Sequence, residues 1–291
     1  MTSWTLGIIG GSGLYAMDVL EDAEWVGVDT PWGPPSDELL MGRLLGVKCV
    51  FLPRHKRGHS LAPATINYRA NIDALKRAGC TDIVAVSAIG SLREELPPGH
   101  FVVVDQFIDR TVGRASSFFG TGFVAHVSMA DPVCSRLSAL VAAAAEAAGA
   151  PVARRGTYLA IDGPQFSSRA ESGLYRNWGC DVIGMTAMPE AKLAREAELP
   201  YALLGMVTDY DCWKESGEVV DVETIIAQLN ANADAARLTI ELLAKSLPSE
   251  RAPSPIDHAL DAAIITAENA RDPEMRIKLR AITERHFAGR D

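Results

Sequence analysis

Two aspartates two positions apart, Asp209 and Asp211 in YALLGMVTDYDCW, close an otherwise apolar run from Tyr201 to Val207. Continuous apolar character predicts a buried strand there. If the chain stays extended through Asp211, the two-residue period turns both carboxylates to one face, where they can meet one ligand. Close like charges in a partly dry site push one carboxyl pKa upward, so the pair can act as proton donor and acceptor toward a heterocycle. The same residues also fit a solvated turn, since Asp commonly ends strands for turn reasons.

Oxyanion binding is the second chemistry in view. LPRHKRGHS sets Arg54, His55, Lys56, Arg57 and His59 directly after an apolar strand, Val47–Leu52. The Arg fork suits phosphate and His adds a donor. Leu6–Ile9 runs into Gly10, Gly11, Ser12 and Gly13, whose backbone N–H groups and hydroxyl can cradle an anion. That loop lacks a P-loop Lys, the GxGxxG spacing and the last Gly of GxSxG. Ile83–Val86 ends in Ser87, Ala88, Gly90 and Ser91, and Val182–Met185 leads through Thr186 to a helix start at Pro189, where phosphate or sugar can sit. Phe166, followed by Ser167 and Ser168, can stack a flat ligand, although Phe166 and Met185 equally fit core packing.

The elements that must position these groups alternate. Helical patterns over Thr65–Ala78, Asp131–Ala148, Arg169–Trp178, Pro189–Ala197 and Asp221–Lys245 separate the strands, with a further strand at Phe101–Val104 and one at Thr157–Ile161. This order predicts an α/β fold, one domain over residues 1–247 with a largely wound sheet and a composite site at strand ends. Pro248–Pro255 reads as a linker, and Ile256–Phe287 as a pair of amphipathic helices broken near Pro273, so residues 248–291 form a linker and helical extension. The extension is too thin to fold alone and is expected to pack on the domain or on a neighbouring subunit.

Bulk properties exclude several classes. The chain of 291 residues is 48% hydrophobic and 22% charged, as in ordinary globular proteins. A net charge of −9 argues against a nucleic-acid or acidic-membrane footprint, which makes local Arg and His clusters informative. Five dispersed cysteines, Cys49, Cys80, Cys134, Cys180 and Cys212, without a CxxC pair or metal-ligand spacing, read as reduced and small-hydrophobic. With no basic leader and no long apolar span, a cytoplasmic protein is expected.

GIIGGSGLY, LPRHKRGH, NYRANIDALK, VSAIGSL, DQFIDRT, DGPQFSSRAE, VIGMTAMPEAKLARE and VTDYDCWKE together resemble the methylthioadenosine phosphorylases of the purine nucleoside phosphorylase superfamily, in order over Leu6–Leu247. The resemblance implies a single phosphorylase/hydrolase-like domain with a central mixed sheet flanked by helices. It implies phosphorolysis of 5′-methylthioadenosine to adenine and 5-methylthioribose 1-phosphate, with phosphate as co-substrate and no metal or organic cofactor. Position by position, Ser12, Arg54, His55, Ser87, Ala88 and Thr186 match phosphate-binding residues. Phe166 and Met185 match residues flanking base and ribose, and Ser167 falls in the same base-site motif. Asp209 and Asp211 match the aspartates facing the purine, Asp209 as acid and Asp211 as acceptor from the exocyclic amine. His126, Val222 and Ile226 match the surroundings of the 5′-alkylthio group, with His126 from an adjacent subunit of a homotrimer or dimer of trimers. Ser12 and Ser87 stand where many members have Thr, and Lys56 where Gly is common. A purine nucleoside phosphorylase acting on adenosine or inosine, a nucleoside hydrolase, and a non-catalytic nucleoside-binding protein are the alternatives.

Overall fold

The computed structural model describes residues 3–11, 14, 19–214 and 222–288. Strands and helices alternate along it: β1 (Thr5–Gly10), β2 (Glu21–Val26), β3 (Leu39–Leu44), β4 (Val47–Pro53), α1 (Tyr68–Arg77), β5 (Asp82–Ser91), β6 (Phe101–Val104) and β7 (Gln106–Asp109). Then follow α2 (Ser135–Ala147), β8 (Val152–Ala153), β9 (Thr157–Ala160), α3 (Arg169–Asn177), β10 (Val182–Gly184), α4 (Ala187–Glu196), β11 (Tyr201–Asp209), α5 (Val222–Ser246), α6 (Pro273–Lys278) and α7 (Arg280–Phe287).

Among the described residues eleven strands join one mixed sheet, the α/β class expected from the alternating pattern and the mixed sheet implied by the resemblance. β5 is its hub, parallel to β1 and β11 and antiparallel to β10. Adjacent residues point to opposite faces, as a strand requires. Ile9, Ile83 and Leu203 pack with Ile72, Leu75 and Leu193 from α1 and α4. Ile8, Val84 and Leu204 pack on the other side with Leu137 and Val141 of α2 and Ile240 and Leu243 of α5. Burial on both faces explains why the central strands read as unbroken apolar runs.

Local signals set the helix boundaries. α1 starts three residues later than its pattern predicts, because Pro63–Thr65 forms a 3₁₀ turn and the Asn67 side chain caps the helix by accepting from Ala70 N–H. A capping box between Ser168 and Glu171 starts α3.

The C-terminal segment departs from the paired helices expected of it. Residues 255–258 and 268–270 are 3₁₀ turns, and Pro273 begins α6 instead of breaking a helix. The segment packs on the same sheet layer: Leu260, Leu279 and Ile282 are fully buried with α1 and α4. Arg251 pairs with Asp82 and Asp257, so the proline-rich stretch is pinned at its middle.

Candidate functional site

The ends of β1 and β4 and the middle of β5 meet the start of α4. Arg54 N–H donates to Gly10 O at 3.0 Å, and the Arg54 guanidinium crosses to Glu190 of α4. Nε and Nη2 make a bidentate pair with the carboxylate at 2.8 and 3.0 Å, and Nη1 donates to Val86 O at 3.0 Å. Arg54 is 2% exposed and Glu190 is completely enclosed. Three of the five guanidinium N–H groups are thereby committed, and two are left for an anion. Next to Val86, Ser87 Oγ lies 3.3 Å from Thr186 Oγ1. Arg54, Ser87, Ala88 and Thr186 therefore form one cluster of donors. Ser12 lies outside the described residues.

His55 follows Arg54, and its ring directs Nδ1 at the backbone. Nδ1 sits 2.9 Å from Leu61 O, which can only accept, so Nδ1 carries the hydrogen and Nε2 is an acceptor in the neutral ring. Burial, opposed by that hydrogen bond and reinforced by the Arg54 and His59 charges, lowers the pKa to about 4. Lys56 takes φ +65°, a conformation that favours Gly. The position commonly held by Gly in the resembling family is thus a left-handed one.

The aspartate pair is built differently from the extended arrangement its spacing suggests. β11 ends at Asp209, and Asp211 has φ +53° within a turn. Strand periodicity thus fails at Tyr210, and a hydrogen bond takes its place: Asp211 N–H donates to Asp209 Oδ1 at 2.7 Å. Thr208 Oγ1 donates to Asp209 Oδ2, also at 2.7 Å. Gly90 of β5 pairs with Asp209, and a Cβ there would lie 3.0 Å from Oδ1. Ala88 and Gly90 are two residues apart, so the donor cluster and the carboxylates are separated by roughly 7 Å of strand, the scale of a nucleoside.

Burial raises the Asp209 pKa against the two hydrogen bonds it accepts, which favour the ionised form. The neighbouring carboxylate is not the cause at Asp209. At Asp211 burial again raises the pKa; the Ser172 and Ser167 hydroxyls oppose it, and the Asp209 charge adds to it. Those hydroxyls lie near Asp211 yet outside hydrogen-bond geometry, and Asp211 Oδ2, Ser167 Oγ and Ser172 Oγ are all buried without a hydrogen-bond partner among the described residues. Cys212 Sγ donates to Ser167 O at 3.1 Å, tying the turn to the loop after β9. Trp213 Nε1 donates to Ser91 O and its ring lies under the Arg176 guanidinium, fixing the far side.

Met185 is half-buried against Gly163, where φ is +63° and a Cβ would meet Sδ at 2.3 Å. Only glycine permits that approach. Phe166 is 44% exposed, which disfavours the core-packing reading of this ring. His126 and Ile226 are both exposed. Ile226 and Val222 are one turn apart on α5, and the Val222 side chain lies outside the description. Among the described residues, no group of three His, Cys, Asp or Glu side chains is placed to hold a metal ion, and no helix is long and apolar enough to cross a membrane.

The sequence model of the phosphorylase superfamily matches residues 5–244. The chain belongs to the phosphorylase superfamily. It is 60% identical to the S-methyl-5′-thioadenosine phosphorylase of Cereibacter sphaeroides, over 98% of this chain and 99% of the relative. It is 57% identical to the Bradyrhizobium diazoefficiens protein of the same name, over 99% and 100%. Among solved structures, a methylthioadenosine phosphorylase sourced from an Antarctic soil metagenomic library aligns with a TM-score of 0.90 and 46% identity, covering 97% of this chain and 99% of that one. The methylthioadenosine phosphorylase of Schistosoma mansoni, in complex with adenine, aligns at 0.80 and 39% identity over 84% and 91%.

Two buried groups beside the candidate residues escaped the sequence reading. Glu190 reads as an ordinary acidic residue in a first helical turn, and its pairing with Arg54 spans 136 positions. Ser172 directly follows the capping box of α3, a signal of a helix start that says nothing of a nearby carboxylate.

Proposed function

We propose that this chain is a pentosyltransferase that cleaves 5′-methylthioadenosine with inorganic phosphate, giving adenine and 5-methylthioribose 1-phosphate. The observation that carries the reading is the pair of carboxyls joined at the end of β11, two strand residues from the donor cluster at Ser87, Thr186 and Arg54. The names of the most similar relatives agree with it.

Phosphate sits among Ser12, Ser87, the Ala88 N–H, Thr186 and the two remaining Arg54 N–H groups, with His55 bordering the loop. One phosphate oxygen attacks C1′ as the C1′–N9 bond breaks, and the bonding pair passes to the purine. Oxocarbenium character on the sugar is stabilised by the anion beneath it. Asp209, whose pKa burial raises, gives its proton to N7, so adenine departs uncharged. Asp211 accepts from the 6-amino group through Oδ2, which has no hydrogen-bond partner among the described residues. Phe166, Ser167 and Met185 flank base and ribose. Val222 and Ile226 line the 5′ group, with His126 contributed by an adjacent subunit of a homotrimer or of a dimer of trimers.

Neither metal nor organic cofactor takes part, and the setting is cytoplasmic salvage of purine and methionine. Adenosine is the second substrate to consider, because a Schistosoma mansoni structural relative is named an adenosine/methylthioadenosine phosphorylase. The deciding assay follows adenine release from methylthioadenosine, adenosine and methylthioinosine, with and without phosphate, before and after dialysis against a chelator. Phosphate-dependent release that is fastest with methylthioadenosine and survives dialysis is expected. Release without phosphate would make the protein a hydrolase, and no release at all a nucleoside-binding protein.

A further inference from the structure

The start of α4 is irregular. Met188 has φ −117° and ψ 133° within it, so the segment Met185–Met188 cannot satisfy its carbonyls by regular helix bonds. One buried side chain from another part of the chain does so. Arg114 Nη1 lies 2.7 Å from both Met185 O and Met188 O, on either side of Thr186. Its Nη2 donates to Asp162 O at 2.9 Å and lies 3.4 Å from Ile161 O, at the end of β9. Nε stands 3.2 Å from Asp162 Oδ1, and the Arg114 side chain is only 3% exposed. Nη1 is also 3.1 Å from the Tyr68 hydroxyl, which itself donates to Pro63 O.

We infer that Arg114 is a positioning residue for the proposed reaction, a buried fork that sets the spacing between the Ile161–Gly163 turn and the Met185–Met188 segment. Those two segments carry Gly163, Met185 and Thr186, and the turn leads into Phe166 and Ser167. The contacts of the fork are with the backbone of these segments, the Asp162 carboxylate and the Tyr68 hydroxyl. The fork fixes the backbone from which the contacts to base, sugar and phosphate project, and only a planar group with several N–H directions reaches both segments together. A Lys ammonium at the same place is a point donor that can serve the Met185 and Met188 carbonyls but not the β9 end as well.

The inference rests on the phosphorylase reading, so the native chain is assayed first; absence of phosphate-dependent adenine release there counts against that reading and leaves the positioning role to the binding measurement. Arg114→Met and Arg114→Lys are then compared with native protein by circular dichroism, thermal melting, kinetics with each substrate varied, and calorimetric titration with adenine. The Met variant is expected to lose about 100-fold in kcat/KM for methylthioadenosine, the scale of a misplacement near 1 Å. Its adenine dissociation constant should rise roughly tenfold, and the Lys variant should fall between Met and native. A folded Met variant with lower Tm but native adenine affinity and native kcat/KM would overturn the proposal, since Arg114 would then serve stability alone. Should the Met variant not fold, native binding and turnover in the Lys variant would overturn it equally.

Discussion

Asp211 gives its backbone N–H to the Asp209 carboxylate across 2.7 Å, so a turn, and not a strand face, couples the two acids. Asp209 is thereby held from both sides, since Thr208 Oγ1 reaches its other oxygen. Both bonds favour the ionised form, and burial favours the neutral one; burial prevails. The arrangement places a carboxylic acid with a raised pKa at a fixed angle.

Replacing Asp209 with Asn keeps the shape and removes the transferable proton. Turnover on methylthioadenosine should fall by roughly 10²- to 10⁴-fold, the usual contribution of general acid catalysis. Native activity should also decline as pH rises through the raised Asp209 pKa, a limb that the variant lacks. The stability linkage has the same direction: a raised carboxyl contributes stability fully below its unfolded pKa and loses it as pH rises through the folded value. Rates and pH profiles of both proteins test this, and native turnover in Asp209→Asn would remove Asp209 from the acid role.

Asp211 bears on the choice of base. Its Oδ2 is a buried acceptor with no hydrogen-bond partner among the described residues, which suits an amino group and leaves a 6-oxopurine facing an unpaired acceptor. Such a mismatch costs roughly 1–3 kcal/mol, or one to two decades. Asp211→Asn should therefore narrow the ratio of kcat/KM between methylthioadenosine and methylthioinosine by that amount. A ratio that does not move would place the discrimination elsewhere.

The central strands were legible because burial on both faces writes them as apolar runs, and Thr186 and Asp209 were legible because strand ends deliver them, whereas Ser87 sits inside β5, which runs on to Ser91. β2 was not: its residues EDAEWV are mostly exposed and charged, as befits an edge strand, and carry no alternation toward a core. β8 spans two residues and owes its existence to pairing with β6. The Arg54–Glu190 pair joins residues whose separation only the folded sheet closes. Arg114 was hidden for another reason, since four of its partners are backbone carbonyls, which have no side-chain signature.

Lys56 holds a left-handed conformation beside the donor cluster, and its side chain is exposed. An L-residue loses roughly 1–2 kcal/mol there relative to its preferred conformation, while Gly forfeits about 0.5–1 kcal/mol through its freer unfolded chain. Lys56→Gly should thus stabilise the protein by up to about 1 kcal/mol, raising Tm by roughly 2–4 °C. Thermal melting checks it, and a lower Tm would mean that the Lys56 side chain makes a contribution the backbone argument omits.

Glu196 offers the sharpest test of pH dependence away from the proposed chemistry. It closes α4 in a buried position, accepting from Ser117 Oγ and Phe118 N–H at 2.7 Å each. Burial raises its pKa to about 7, against the pull of those hydrogen bonds. The stability it contributes is fully present below the unfolded carboxyl pKa and is lost as pH rises from there through 7. A displacement of this size corresponds to roughly 2–4 kcal/mol. Glu196→Gln removes the ionisation and retains an acceptor for Phe118 N–H. The variant should match the native protein near pH 4.5 and exceed it in stability at pH 8. Denaturant unfolding across that range reads the difference directly, and parallel pH dependences in the two proteins would show that Glu196 ionises in the fold without cost.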